Sequence, residues 1–506
     1  FFTNCVIGHL WHAIPGARFK RMYGQDYNRH AYELIDSTSD HLHWAGGHWT
    51  SSRDGRGAHD QAGGGHAHCG TMIYLGDNWP DSYRGHVYTC NIHGRRLNAD
   101  RLELRGCGYV GKRGFDLFHN DDPWHRGVAL DYGPDGSVFV LDWCDLGECH
   151  DNDGVHRSSG RIYRFRHGAD ARLPAFDLQK KSDTELADLQ LHKNDWWVRQ
   201  ARRILAERAV AGHRMDAVHR QLWQMFERNP AVTRKLRALW CLHVTGGLDE
   251  KRLLELLEHR EERIRVWAVR LLCDGDRVSE PARKKFETMA ASEPCGLVRS
   301  YLASALHRLP PRQRFTLAGA LAGQEKDAGD RTQPLMIWYG LEPAVTLDPA
   351  ASLTLALTTP MAKLRQFIAR RLTETENHLD LLIAAVSRGK ETSVQEQLLE
   401  GIRDGLKGRK QVKAPERWRE IYALLTASKS PAVRNLARVL ALTFDDPQAR
   451  KELLSLVRDQ RAGMEDRISA IQALVNAGVA ELGDVLLLTL KEKSLRSASL
   501  RALAAY

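Results

Sequence analysis

A chain of 506 residues is longer than one hydrophobic core usually organises, so at least two domains are expected. With 43% hydrophobic and 27% charged residues and no apolar run near the roughly 18 residues of a membrane span, the composition excludes a transmembrane helix and fits globular protein. The net charge of +10 is uneven: residues 1–168 hold 18 Lys and Arg against 20 Asp and Glu, a net of −2, which leaves +12 for the remainder and reads as solvated helix faces rather than a nucleic-acid interface.

The chain opens without Met on a strand-like stretch, CVIGHLWHAIPGARFKRMYG, with a Pro-Gly turn, and is expected to be a fragment of a longer protein. Tyr32, Leu34 and Ile35 suit a short strand or helix. Residues 46–65 have no periodicity and read as one long loop. Next, AGGGHAHCG sets three glycines before His66 and His68; the glycines permit positive φ and close backbone approach, and alternation in a strand would put both imidazoles on one face. Those two His are read as a metal pair or a catalytic group, against the plainer reading of a polar turn.

From Thr71 strands follow at short intervals: TMIYLGD, HVYTCNIHGRRL, RLELRGCGYVG, the hairpin GVALDYGPDGSVFVLDW around Gly133-Pro134-Asp135-Gly136, and GRIYRFRHG. Their length and turn residues predict an all-β region over 1–168, in the form of part of a β-propeller. Gly106-Cys107-Gly108-Tyr109-Val110-Gly111 matches a dinucleotide fingerprint, but no helical period follows it, so nucleotide binding is not expected. The nine cysteines include no C-x-x-C and no C-x-x-C-H, which excludes a zinc ribbon and covalent haem attachment within these residues. Cys144 and Cys149 are left as buried thiols or as disulfide partners of each other, Cys69, Cys90 or Cys107.

After a linker over 169–182 the period becomes 3.6. An Arg beside an apolar residue opens one amphipathic segment after another, with the arginines at 199, 237, 265, 299, 365, 434, 467 and 496. Recurrence at mostly 28 to 38 residues predicts an all-α solenoid of HEAT-like helix pairs over 183–506. Trp196, Trp197, Trp240 and Trp267 are assigned to its inter-repeat core. Asp195 with Arg199 and Glu261 with Arg265 have i,i+4 spacing. The stretch from Lys407 to Arg419 reads as a basic, solvated loop.

The blocks NCVIGHLWHAIPGARFKRMYGQD, AGGGHAHCGTMIYLGDNWP, NIHGRRLNADRLE and DWCDLGECHDNDGVHRSSGRIYR resemble the bacterial membrane-bound dehydrogenase family. In that family a β-propeller akin to quinoprotein sugar dehydrogenases precedes HEAT-like repeats and often a cytochrome c module. The resemblance implies an extracytoplasmic, periplasmic or membrane-associated oxidoreductase acting on a sugar or alcohol and passing electrons to a cytochrome c partner or module. It also implies that early propeller blades and a haem module lie outside this chain, and that a PQQ-like quinone with Ca²⁺ is the redox group.

On the residues themselves, His66 or His68 suits the base that oxidation of a carbinol needs. Arg21, Arg95, Arg96 and Arg157 are candidates for a bidentate grip on quinone carboxylates. Asp142, Asp145, Glu148, Asp151 and Asp153 offer hard oxygens for Ca²⁺, while His150 and His156 could recruit a transition metal. The rival reading is a scaffold in which sheets and solenoid bind protein or carbohydrate without turnover.

Overall fold

The computed structural model describes all residues except 6–7, 22–23, 47–55, 145, 147–157, 170–172, 376–377, 390 and 410–411. Antiparallel sheets come first and helices follow. β1 (His68–Ile73), β2 (Val87–Asn91), β3 (Arg96–Arg105) and β4 (Gly108–His119) form a four-stranded meander, and β5 (Gly127–Tyr132), β6 (Val138–Asp142) and β7 (Ile162–Phe165) a three-stranded one. The GPDG turn falls between β5 and β6 as its sequence dictates. Alternation along β6 buries Val138 and Val140 and exposes Phe139 and Leu141. Met72, Tyr88, Leu97, Leu130, Tyr132, Val138 and Val140 share one core, so the two meanders pack on each other. A closed ring of blades is not seen among the described residues.

Two glycine positions make this packing feasible. Gly70, at φ 62°, lies at a register shift in β1, where a Cβ would stand 3.0 Å from the Ala129 backbone of β5. Gly64, at φ 102°, lies so close to Gly94 that a Cβ would fall 2.6 Å from its Cα. The expected long loop over 46–65 is also broken by a short helix, Ala58–Ala62. The Gly106-Cys107 pair is the β3–β4 turn and leads into a strand, so the dinucleotide pattern has no helix to work with.

The chain divides into two compact units, Phe1–Tyr27 with Glu33–Arg308 and Asn28–Tyr32 with Leu309–Tyr506. The division by contacts thus falls far beyond the change in composition near residue 168. In the first unit helices are bonded to the sheets: Asn194 donates to the Gly133 carbonyl (3.0 Å), Trp197 to that of Pro134 (2.8 Å) and, further along, Ser300 to that of Cys107 (2.6 Å). Trp196 and Trp197 therefore serve the sheet boundary rather than the inter-repeat core. Trp240 and Trp267 do meet between repeats, edge to face at 4.9 Å.

Seven of the eight recurrent arginines have one job: each donates to a main-chain carbonyl in the last turn of a helix or just after it. In the first unit Arg237 bonds His192 O (2.8 Å), Arg265 bonds His259 O (2.8 Å) and Arg299 bonds Glu293 O (2.8 Å). In the second, Arg365 bonds Ala356 O (2.6 Å), Arg434 Ser428 O (2.9 Å), Arg467 Val457 O (3.0 Å) and Arg496 Leu490 O (3.0 Å). Helix C-termini leave carbonyls without intrahelical partners, and a long planar donor satisfies them. Arg199 departs from the pattern, lying over the Tyr132 ring and beside Asp195 at 3.4 Å. Arg265 takes Glu293 rather than Glu261 as its carboxylate. Among the described residues no helix is long and apolar enough to cross a membrane.

Candidate metal centre

Asp100 sits in β3, the strand between β2 and β4, paired with Val87 on one side and Arg113 on the other. A carboxylate there is fixed in place and 2% exposed, which is costly unless something neutralises it. Three imidazoles close on it. Ser39 bridges to Gly111 of β4, and the next turn of chain brings His41 and His43, two residues apart and so on one side of an extended segment. His9 comes from the opening stretch, whose Leu10 carbonyl accepts from Thr38 N.

His41 Nε2 and His43 Nε2 each lie 3.3 Å from Asp100 Oδ1 and 3.2 Å from one another. His9 Nε2 is 2.8 Å from Oδ2 and 3.1 Å from Ser39 Oγ. All four donor atoms lie within 4.8 Å of one another. Bonds of about 2.0–2.1 Å to a tetrahedral ion require donor–donor edges of about 3.3–3.4 Å. Three of the edges already match. Asp100 Oδ1 nevertheless accepts no hydrogen bond of regular geometry among the described residues.

Outside this ring, the other nitrogen of two imidazoles is held by an acceptor. His41 Nδ1 is 3.1 Å from Asp40 Oδ1, and Asp40 is paired with Lys112. His43 Nδ1 is 2.8 Å from His68 Nε2, and His68 Nδ1 is 3.1 Å from the His66 carbonyl. Burial, reinforced by the neighbouring imidazoles, pushes His43 down to about 4 and His68 well below the ordinary histidine value. Burial also opposes charge on His41, but Asp100 and Asp40 outweigh it and raise its pKa. For Asp100 burial favours the neutral acid, but the His41, His43 and His9 imidazoles hold it below the usual carboxylate range.

The residues singled out from sequence are placed as follows. His66 and His68 are both buried. His68 backs His43; the His66 ring lies against His93 at 4.3 Å, and its carbonyl faces His68 Nδ1. Neither is positioned as a solvent-accessible base. Arg96 is buried and bound to Asp60 and Asp116, and Arg21 lies 3.7 Å from Asp26 and over the Tyr27 ring, so both guanidinium groups already have carboxylates. Arg95 is half-buried at φ 50° in the β2–β3 turn. Asp142 is buried, its Oδ1 accepting from Arg126 N (2.7 Å) and Cys144 N (3.1 Å), 3.5 Å from His125. Asp145, Glu148, His150, Asp151, Asp153, His156 and Arg157 lie outside the described residues. The eight described cysteines form no disulfide with one another, and Cys149 lies outside the described residues.

His9, His41, His43 and Asp100 were missed in sequence. An H-x-H pair at 41–43 repeats the one at 66–68, and an Asp interrupts the strand-like RLNADRLEL, but nothing in the spacing links residue 9 to 41 and 100.

Residues 28–169 match a family model described as a domain of unknown function (DUF7133), a span that includes His41, His43, His68 and Asp100 but not His9. None of the curated proteins compared matches the chain. Solved structures similar to it include a crystal structure of an engineered protein, at 14% identity and a TM-score of 0.26, covering 64% of this chain and 99% of that one. Another is the crystal structure of Kap121p, at 12% identity and a TM-score of 0.34, covering 64% of this chain and 45% of that one.

Proposed function

We propose that the sheet region holds one divalent first-row transition-metal ion on His41, His43 and Asp100, with His9 as fourth donor. The observation that carries this is the near-equilateral triangle of two imidazole nitrogens and one carboxylate oxygen, with edges of 3.2–3.3 Å, whose oxygen accepts no hydrogen bond of regular geometry among the described residues. Imidazole nitrogens suit zinc, iron, copper or nickel, whereas Ca²⁺ takes six to eight oxygens. The donor set thus favours a transition ion over the Ca²⁺ implied by the family resemblance.

On the strength of that resemblance, we read the chain as the metal-bearing part of an extracytoplasmic oxidoreductase, with the two meanders as blades of an incomplete propeller. An alcohol or sugar would be oxidised to the carbonyl, releasing two protons to solvent and two electrons that reduce two cytochrome c-type haems, one electron each. Arg21 and Arg96 lend no support to a quinone, since each already faces a carboxylate.

The test is metal analysis of the purified protein, followed by dye reduction with a panel of sugars and alcohols. About one equivalent of a transition metal, lost on chelation together with any dye reduction, is the expected result. Protein that neither retains nor takes up such an ion overturns the metal reading. Protein that binds the ion but reduces no dye overturns the oxidoreductase reading and leaves a metal-stabilised binding scaffold.

A further inference from the structure

His68 was singled out in sequence as a catalytic candidate, but it lies one shell behind the donors. The His66 carbonyl can only accept, so His68 carries its proton on Nδ1, 3.1 Å away. His68 Nε2 then carries a lone pair, with Asn91 Nδ2 3.4 Å away. The partner of that lone pair at 2.8 Å is His43 Nδ1, which must therefore bear a hydrogen. A neutral imidazole protonated on Nδ1 has a bare Nε2, and in His43 this atom faces Asp100 Oδ1 and His41 Nε2.

We propose that His68 is a positioning residue which, through the chain His66 carbonyl, His68, His43, fixes His43 in the tautomer that offers Nε2 to a metal. This rests on the metal reading above. Every member is enclosed: His43 is 0%, His66 2%, His68 3% and Asn91 1% exposed, so water does not replace the relay. The AGGG run is part of the device, because Asn91 Nδ2 is also held by the Gly63 (2.9 Å) and Gly65 (3.1 Å) carbonyls. The close glycine backbone brings these acceptors to the asparagine that steadies His68.

The test compares His68→Gln, whose side-chain oxygen can still accept from His43 Nδ1, with His68→Leu, which cannot. Co²⁺ affinity and the d–d absorption of the Co²⁺-loaded full chain are measured beside thermal unfolding. His68→Leu should bind Co²⁺ about 10- to 100-fold more weakly, with displaced d–d bands, and His68→Gln should recover most of the affinity. Equal affinity and spectrum in wild type and a folded His68→Leu, or equal losses in Leu and Gln variants, would overturn the relay while leaving the metal reading intact. Histidine ¹⁵N NMR of the metal-free protein gives an independent arm. Hydrogen on Nδ1 of both His43 and His68 is expected; hydrogen on His43 Nε2 would overturn the relay whether or not the protein binds metal.

Discussion

In the helical repeats each buried guanidinium finds its partners close by in the stack. Arg467 reaches the Val457 carbonyl and is paired at 2.7 Å with Glu492, and Arg365 spans from Ala356 O to the neighbouring Gln397. In the sheet region the buried carboxylate of Asp100 draws imidazoles from residues 9, 41 and 43, and a fourth from 68 supports them. The first arrangement closes its own hydrogen bonds and repeats along the chain. The second is the one such group of His and Asp found among the described residues, and it leaves a carboxylate oxygen with no hydrogen bond of regular geometry. Polar groups that satisfy one another are architecture, and polar groups that converge without doing so mark a place for something else.

The contrast can be broken most severely at Asp100. Asp100→Asn keeps the volume and removes the charge, and metal affinity should fall by more than the about 100-fold that loss of a supporting partner produces. Isothermal titration with Zn²⁺ or Co²⁺ would show it; unchanged affinity would remove Asp100 from the site. Chelation should come next. An ion present at 1,000 times its dissociation constant adds about 4 kcal/mol to apparent stability, so the melting temperature should track free metal concentration. A melt indifferent to chelator would mean that protons alone hold the cluster.

The repeat arginines should respond in proportion to their burial, whatever the metal. Arg467→Met leaves Val457 O and Glu492 without their donor and should cost about 2–4 kcal/mol in urea denaturation. Arg496→Ala, at an exposed guanidinium, should cost under about 1 kcal/mol. Equal costs at the two positions would refute the capping role. The smallest effect is expected at Asp151 and Asp153: Asp151→Asn with Asp153→Asn should leave transition-metal content unchanged, and a loss would move the site there.

Much of the architecture was legible because it is periodic. An Arg recurring mostly every 28 to 38 residues betrays the helix stack, since each repeat must satisfy carbonyls at a helix end. Alternation with GPDG marks the β5–β6 hairpin, and AGGG announces the positive φ and close approach later seen at Gly64. The metal centre has no such period. His9, His41 and Asp100 meet only because Ser39 bridges to Gly111 and Thr38 bonds to Leu10, tertiary contacts that leave no spacing rule in the chain. His66-Ala67-His68 attracted attention for its pattern, but pattern cannot distinguish a donor from the group behind it. His43, in the matching pair, faces the carboxylate instead.

Anomalous diffraction from crystals of the metal-loaded protein, collected at the absorption edge of the bound ion, addresses the central claim most directly. The account predicts one peak about 2 Å from His41 Nε2, His43 Nε2 and Asp100 Oδ1. A loaded crystal with no peak among those three atoms, or with its only peak elsewhere, would contradict it.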